Sequence, residues 1–188
     1  MMVDIFEAAV AATIGREGRY SADPADRGGA TAWGITEATA RAAGYLGPMA
    51  AMSRDAAVDI YRRRYWAAPG FDRIAVLSPP LAIRLFDIGV NTGPPTGIRL
   101  LQRALNALNR QASDFADIAT DGVFGSGSET ALRAFLARRG ADGERVLLFA
   151  IAAQQAVHYL EIAERDPTQE AFVFGWLLNR AMAGQPTP

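Results

Sequence analysis

Apolar residues recur along most of the chain at spacings of three and four, the spacing of a helix that buries one face. In residues 4–17 that face carries Phe6, Val10, Thr13, Ile14 and Glu17. After a loop over 18–35, the same pattern predicts helices at about 37–43, 54–66, 80–91, 96–111, 129–140, 143–165 and 167–184. Four of these helices are preceded by a residue that could cap them, and Gly140 could end the helix over 129–140; the four caps are Thr36, Ser53, Ser128 and Asp166. The sequence therefore predicts a mainly α protein with a small loop or hairpin region after its first helix.

The helix predicted at 80–91 has almost no polar face. A helix that is apolar all round is buried on most sides, so this one is expected at the centre of the fold. Pro94 and Pro95 follow it and give the best internal boundary. We therefore expect two regions, 1–93 and 94–184, that pack together as one compact body.

Charge and composition exclude several classes of function. The net charge is −1, so bulk electrostatics attract neither nucleic acid nor an anionic membrane. The chain has no Cys and no Lys, and His158 is its single His, which excludes thiolate zinc sites, multi-histidine metal sites and P-loops. His158, in the middle of a helix, is expected to pack or to lie on the surface. No metal or organic cofactor is implied.

The N-terminal segment "MMVDIFEAAVAATIG" is apolar but lacks the basic n-region of a signal peptide, and Asp4 and Glu7 interrupt it. A secretory signal peptide is therefore not expected. No run approaches the ~20 apolar residues of a membrane-spanning helix, so stable membrane insertion is not expected either. We expect a protein made in the cytoplasm without a secretory signal.

Glu17 is the first candidate for proton chemistry, because it continues the apolar face of the first helix and lies at the helix C-terminus. Desolvation and the negative end of the helix dipole both disfavour an ionised carboxylate. A Glu that keeps its proton near neutral pH can act as a general acid. The alternative is a last-turn residue that points to solvent beside Arg16 and Arg19.

Asp26 and Thr31 follow Glu17 in a loop that is able to fold back on it. Two carboxylates that flank a bond are the usual apparatus of glycoside hydrolysis, and a Thr hydroxyl beside them could hold a water molecule. The alternative for Asp26, and more so for Asp23 before Pro24, is a turn residue.

Two aromatic residues, Tyr20 and Trp33, flank this loop and would suit a saccharide cleft. The alternative is that they form a small core beneath the loop. Asn91 and Thr92, at the end of the buried helix, could donate hydrogen bonds to an N-acetyl group, or could simply finish that helix.

The run "EGRYSADPADRGGATAWGIT" resembles the signature of glycoside hydrolase family 108 at nearly every fixed position. Arg19 stands where that signature usually has Gly. A long cation at this position could change the substrate preference or the pKa of Glu17. Further family landmarks are "YRRRYW", "LFDIGVNTGP" and "LLQRALN", and "DGVFGSGSETALRAF" resembles the companion peptidoglycan-binding region. The resemblance covers almost the whole chain.

The resemblance implies a lysozyme-like helical fold and muramidase activity on the β-1,4 bond between N-acetylmuramic acid and N-acetylglucosamine. It makes Glu17 the catalytic acid, and a similar spacing in family 24 phage lysozymes suggests roles for Asp26 and Thr31. It makes 1–93 the catalytic region and 94–184 a peptidoglycan-binding region.

The partner implied by the resemblance is the glycan strand of peptidoglycan, outside the cytoplasm. Export through a holin in phage lysis, a gene-transfer particle and a wall-opening role in secretion all remain open. Two other activities also remain open: a lytic transglycosylase, and a protein that binds the wall without cleaving it.

Overall fold

The computed structural model describes residues 4–14, 20–21 and 30–182. Helices predominate, as the sequence predicts, and a small three-stranded sheet follows the first helix. The elements are α1 (Ile5–Ile14), β1 (Tyr20–Ser21), β2 (Thr31–Ala32), β3 (Ile35–Thr36), α2 (Glu37–Ala42), α3 (Arg54–Ile60), α4 (Phe71–Leu77), α5 (Pro79–Thr92), α6 (Pro94–Leu108), α7 (Ser126–Arg165) and α8 (Glu170–Trp176). A π-helical segment continues α3 over Tyr61–Ala67, and a second continues α8 over Leu177–Ala181.

The chain divides into two compact units, Met1–Pro79 and Pro80–Pro188. In the first unit, Phe6, Val10 and Thr13 of α1 are buried, which confirms the predicted inner face for these three positions. The π-helical segment supplies two further buried aromatic residues, Tyr61 and Trp66.

Side-chain caps begin two helices of the first unit where the sequence predicts them. The hydroxyl of Thr36 accepts a hydrogen bond from the backbone N–H of Thr39, and that of Ser53 accepts one from Ala56. These bonds satisfy donors that a helix N-terminus otherwise leaves without a partner.

The predicted hairpin is formed by β2 and β3, and β1 pairs antiparallel with β2 on its other side. Ala32 and Ile35 face each other in register and are buried. The two residues between the strands, Trp33 and Gly34, both have positive φ, at 54° and 77°. Such values are those of a type I′ turn, whose twist matches that of the paired strands.

The second unit begins with α5, which is buried as expected: Leu81, Leu85, Phe86 and Ile88 have no exposed surface. In α6, Gly97 lies against α5, because a Cβ built there would lie 3.4 Å from the Leu85 carbonyl oxygen. A glycine at this position therefore allows the two helices to approach closely.

The long helix α7 breaks at Gly140, whose φ of 59° and ψ of −148° are not helical. The predicted helix end at Gly140 is thus confirmed. The predicted cap at Ser128 is wrong, because the helix begins at Ser126 after the N-cap residue Gly125. Ser128 is instead buried, and its hydroxyl accepts a hydrogen bond from the Gln102 amide.

By length and composition alone α7 could cross a membrane, since an 18-residue window has a mean hydropathy of 1.4. Such a segment was not expected from the sequence, which has no run of about 20 apolar residues. Core helices of water-soluble proteins meet the same criterion when they are mostly buried, whereas only 28% of this window is buried, including Leu147, Ile151 and Tyr159.

The C-terminal end of the described chain is fixed to α5. Asp166 caps the turn before α8 by accepting a hydrogen bond from the Thr168 N–H, as predicted. The guanidinium of Arg84 donates to the carbonyl oxygens of Arg180 and Ala181, at 2.7 and 2.8 Å. Burial lowers the pKa of Arg84, while these bonds anchor the final turn.

Candidate active site

Three of the residues proposed for the site, Glu17, Asp23 and Asp26, lie outside the described residues. In the sequence, Glu17 stands three positions after the last described residue of α1 and three before Tyr20, the first residue of β1. Asp23 and Asp26 belong to the connection between β1 and β2. Their proposed roles therefore remain predictions.

Thr31 is the first residue of β2, where it pairs with Ser21 of β1 and Thr36 of β3. Side chains alternate between the faces of a strand, so Thr31 lies on the face opposite the buried Ala32. Its side chain is partly exposed. The sheet thus places Thr31 beside the strand that follows Glu17 in the sequence.

Trp33 is held at the tip of the hairpin by two contacts from residues far away in the chain. Its indole N–H donates to the Met52 carbonyl at 2.9 Å, and its own carbonyl accepts from the Tyr61 hydroxyl at 3.0 Å. Because the indole N–H has this partner, any contact between Trp33 and a sugar would use the ring face. The proposed binding role of Trp33 remains a prediction.

Tyr20 lies in β1, where the register pairs it with Ala32. Its backbone is therefore part of the same small sheet as Thr31. The expectation that Tyr20 contacts substrate is not tested by this register and remains a prediction.

The π-helical segment also holds α1. Arg62 lies with its guanidinium 4.0 Å from the centre of the Phe6 ring and pairs with Glu7 at 2.9 Å. The Phe6 ring in turn meets Trp66 edge to face, with ring centroids 5.6 Å apart. Half-exposed ion pairs contribute about 1 kcal/mol or less, so the buried aromatic contact is the stronger anchor.

These supporting contacts were not anticipated from the sequence, although "YRRRYW" was singled out as a landmark. In three dimensions the segment holds both the helix that precedes Glu17 and the hairpin that carries Thr31. Its residues act as positioning residues: Tyr61 for the turn, and Arg62 and Trp66 for α1. Single π-helical turns are frequent near functional sites.

Asn91 and Thr92 end α5, in the second unit. The Asn91 amide donates to the Asp87 carbonyl at 2.6 Å, and the Thr92 hydroxyl donates to the Ile88 carbonyl at 2.9 Å. Both side chains therefore bond to the last turn of their own helix. Asn91 is exposed, and its proposed contact with an N-acetyl group remains a prediction.

Within the described ranges, no group of three or more His, Asp or Glu side chains could hold a metal ion. His158 is partly buried and lies 6.3 Å, centroid to centroid, from the ring of Tyr159.

Comparisons with known proteins bear on the identity of both regions. Residues 10–93 match the family described as glycosyl hydrolase 108, and residues 96–181 match the family described as predicted peptidoglycan domain. No curated protein matches the chain. The solved structure of Brucella abortus SagA is similar over 96% of this chain and 98% of that chain, with a TM-score of 0.60 and 24% identity, which shows a shared fold. Residues 10–93 are therefore identified as a glycosyl hydrolase 108 region and residues 96–181 as a predicted peptidoglycan region, and together they indicate a glycoside hydrolase that acts on peptidoglycan.

Proposed function

We propose that the protein is an N-acetylmuramidase, which cleaves the β-1,4 bond between N-acetylmuramic acid and N-acetylglucosamine. The family match supports a glycoside hydrolase whose target is the cell wall. The motif that begins at Glu17 supports the finer assignment, because it contains two carboxylates, the usual apparatus of this hydrolysis, and a Thr hydroxyl that could hold a water molecule.

In this mechanism Glu17 is the general acid. It gives its proton to the glycosidic oxygen as positive charge develops at the anomeric carbon of the sugar. A position of Glu17 at the end of an apolar helix would keep its carboxyl protonated near neutral pH, because desolvation and the helix dipole both disfavour the anion.

Asp26 is the second carboxylate and remains ionised. It either stabilises the developing positive charge or activates a water molecule that Thr31 helps to hold. A separation of about 6.5–9.5 Å between the Glu17 and Asp26 carboxyls would give inversion, and one of about 5–5.5 Å would give retention.

The pairing of β1 with β2 is the observation in the described structure that best supports this arrangement. Ser21 and Thr31 are partners in the sheet. The loop that contains Asp26 therefore leaves and returns at neighbouring strands, four residues after Glu17 at one end and directly before Thr31 at the other. Tyr20, Asp23 and Trp33 are proposed to contact the substrate around this point, and Asn91 and Thr92 are separately proposed to bind an N-acetyl group.

For the second region, we propose that residues 94–184 bind peptidoglycan and keep the enzyme on the wall. Access to the wall would need an export partner, a holin in an endolysin-like role or a secretion apparatus in a wall-opening role. The genes that neighbour this one would distinguish these two roles.

Analysis of digestion products tests the proposed bond. Purified sacculi are digested with the full-length protein, and the products are reduced with borohydride and identified by mass spectrometry. A muramidase leaves reducing N-acetylmuramic acid, which is converted to the muramitol. Reduced N-acetylglucosamine ends would contradict the proposed bond, 1,6-anhydro ends would indicate a lytic transglycosylase, and undigested sacculi would indicate a binding protein.

A further inference from the structure

Three arginines of the second unit converge on one carboxylate. Asp114 forms a hydrogen-bonded ion pair with Arg110, and further ion pairs with Arg138 at 3.5 Å and Arg139 at 3.8 Å. The side chain of Asp114 is only 4% exposed, whereas those of Arg110, Arg138 and Arg139 are 50%, 61% and 40% exposed. The carboxylate is thus covered while the three cations face solvent.

The backbone that presents Arg110 is strained. Arg110, Gln111 and Ala112 have φ values of 54°, 60° and 60°, in the left-handed region that non-glycine residues rarely adopt. Each such residue costs about 1 kcal/mol or more, and three in succession need compensating contacts. Asn109 supplies one, since its side-chain oxygen accepts a hydrogen bond from the Ala112 N–H at 2.9 Å.

Arg138 and Arg139 come from α7 and directly precede its break at Gly140. Cations are favoured at a helix C-terminus, and that effect alone would explain two arginines in this turn. It does not explain why a strained loop from another part of the unit brings Arg110 to the same place.

A groove of about 400 Å³ opens at this cluster. It is lined by Arg110, Ser113, Asp114, Ala134, Ala137 and Arg138. The two alanines leave room beside the guanidinium groups and offer methyl groups to a small apolar side chain. The groove therefore combines cations with space for a short residue.

We propose that this groove binds a free carboxylate of the peptide stem of peptidoglycan. One carboxylate, Asp114, faces three guanidinium groups, which leaves a local positive surplus on a chain whose net charge is −1. Asp114 orients the arginines, and each retains N–H donors beyond those that it uses. The planar guanidinium fork matches a carboxylate in a bidentate manner.

The stem peptide is the favoured source because it carries free carboxylates next to alanine methyl groups, the two features that the groove accommodates. The same chemistry exists on the lactyl group of muramic acid once its peptide is removed. This inference rests on the proposed action on peptidoglycan, and it concerns residues of the second unit only.

Co-sedimentation with purified sacculi tests it. The full-length protein is used on ice in a Glu17→Gln background, so that the sacculi remain intact. Arg138→Gln is the test variant, and Arg133→Gln is its matched control. Arg133 lies in the same helix, is 63% exposed and pairs with Glu129 at 3.4 Å, so both changes remove one similar exposed cation.

We expect Arg138→Gln to bind sacculi about fivefold more weakly than the control, because one exposed charge-assisted contact contributes about 1 kcal/mol. The difference should disappear on glycan strands from which an amidase has removed the peptides. Circular dichroism checks folding, and Arg110→Gln, at another residue that lines the groove, replaces Arg138→Gln if that variant does not fold.

Equal binding of the two variants to sacculi would overturn the inference, as would a difference that persists on peptide-free glycan. The digestion assay separates these failures from a failure of the proposed function. If the wild-type protein releases muramic acid ends but Arg138→Gln binds normally, only the inference about the groove is wrong.

Discussion

Replacement of Tyr61 by Phe should loosen the hairpin that carries Thr31 and Trp33. Tyr61 is 1% exposed, and its hydroxyl donates to the Trp33 carbonyl at 3.0 Å. Trp33 has a φ of 54°, so its left-handed conformation depends on such contacts. Phe keeps the ring volume, and the variant therefore removes the hydrogen bond without creating a cavity.

The loss of this bond should lower the free energy of unfolding of the first unit by about 1–2 kcal/mol, the usual cost when a buried acceptor loses its donor. Urea denaturation measures this change. Amide hydrogen exchange gives a local readout. The backbone amides of residues 31–36 should exchange faster in the variant than in the wild type, and the change should be smaller in the segments around the sheet. Lysis of the wall should also slow, because the turn positions Thr31.

Tyr65→Phe is the matched control, since it makes the same chemical change four residues later in the same π-helical segment. Within the part of the chain that the structure describes, the Tyr65 hydroxyl makes no hydrogen bond. It should leave stability and hairpin exchange almost unchanged. If Tyr61→Phe behaves like this control, the Tyr61 hydroxyl does not hold the turn.

Three further predictions concern the second unit. Gln102→Leu should destabilise this unit by about 2–4 kcal/mol in urea denaturation. The reason is that the Gln102 side-chain amide donates to Asp121, Val123 and Ser128 and accepts from the Gly122 N–H. Wild-type stability of the variant would contradict this role. Gly122→Ala should lower the free energy of unfolding by about 2 kcal/mol, because Gly122 has a φ of 81° and an added Cβ would lie 2.9 Å from the Pro95 carbonyl oxygen. Gly127→Ala is the control and should leave stability unchanged, since its added Cβ would have its nearest contact at 4.0 Å. Hydrogen bonds from Gln102 and the Val123 N–H lower the pKa of Asp121 below its ordinary value of 3.8, so its contribution to stability is present above that pH and is lost as the pH falls through and below it. Thermal melts between neutral and acid pH should show a shallower acid loss for Asp121→Asn, and an identical acid profile would contradict the assignment.

The local features of the fold could be predicted from the sequence because neighbouring residues determine them. The caps at Thr36, Ser53 and Asp166 and the break at Gly140 depend on residues within one or two turns. The cap at Ser128 was predicted wrongly, because its hydroxyl contacts Gln102, 26 residues earlier in the chain.

Contacts between distant residues were not predictable in this way. The partners of Trp33 are 19 and 28 residues away, and no periodicity links them. The strain at Arg110 to Ala112 is also unexpected, because no glycine marks those positions. At Trp33 these distant contacts compensate for a backbone conformation that local preferences disfavour, and at Ala112 the nearby Asn109 side chain does so.

The predicted boundary after residue 93 remains a prediction. The two family matches change between residues 93 and 96, whereas the compact units divide between Pro79 and Pro80. The two boundaries differ only in the region to which they assign α5. The apolar surface of α5 predicts a buried helix in either region.

The most direct test of the central claim compares Glu17→Gln with Glu7→Gln. Both replace a carboxyl by an isosteric amide near the N-terminus, and Glu7 is half-exposed and paired with Arg62. We expect Glu17→Gln to abolish lysis of permeabilised Gram-negative cells while its circular dichroism and melting match the wild type, and we expect Glu7→Gln to retain lysis. Substantial lysis by a well-folded Glu17→Gln variant would contradict the assignment of Glu17 as the catalytic acid.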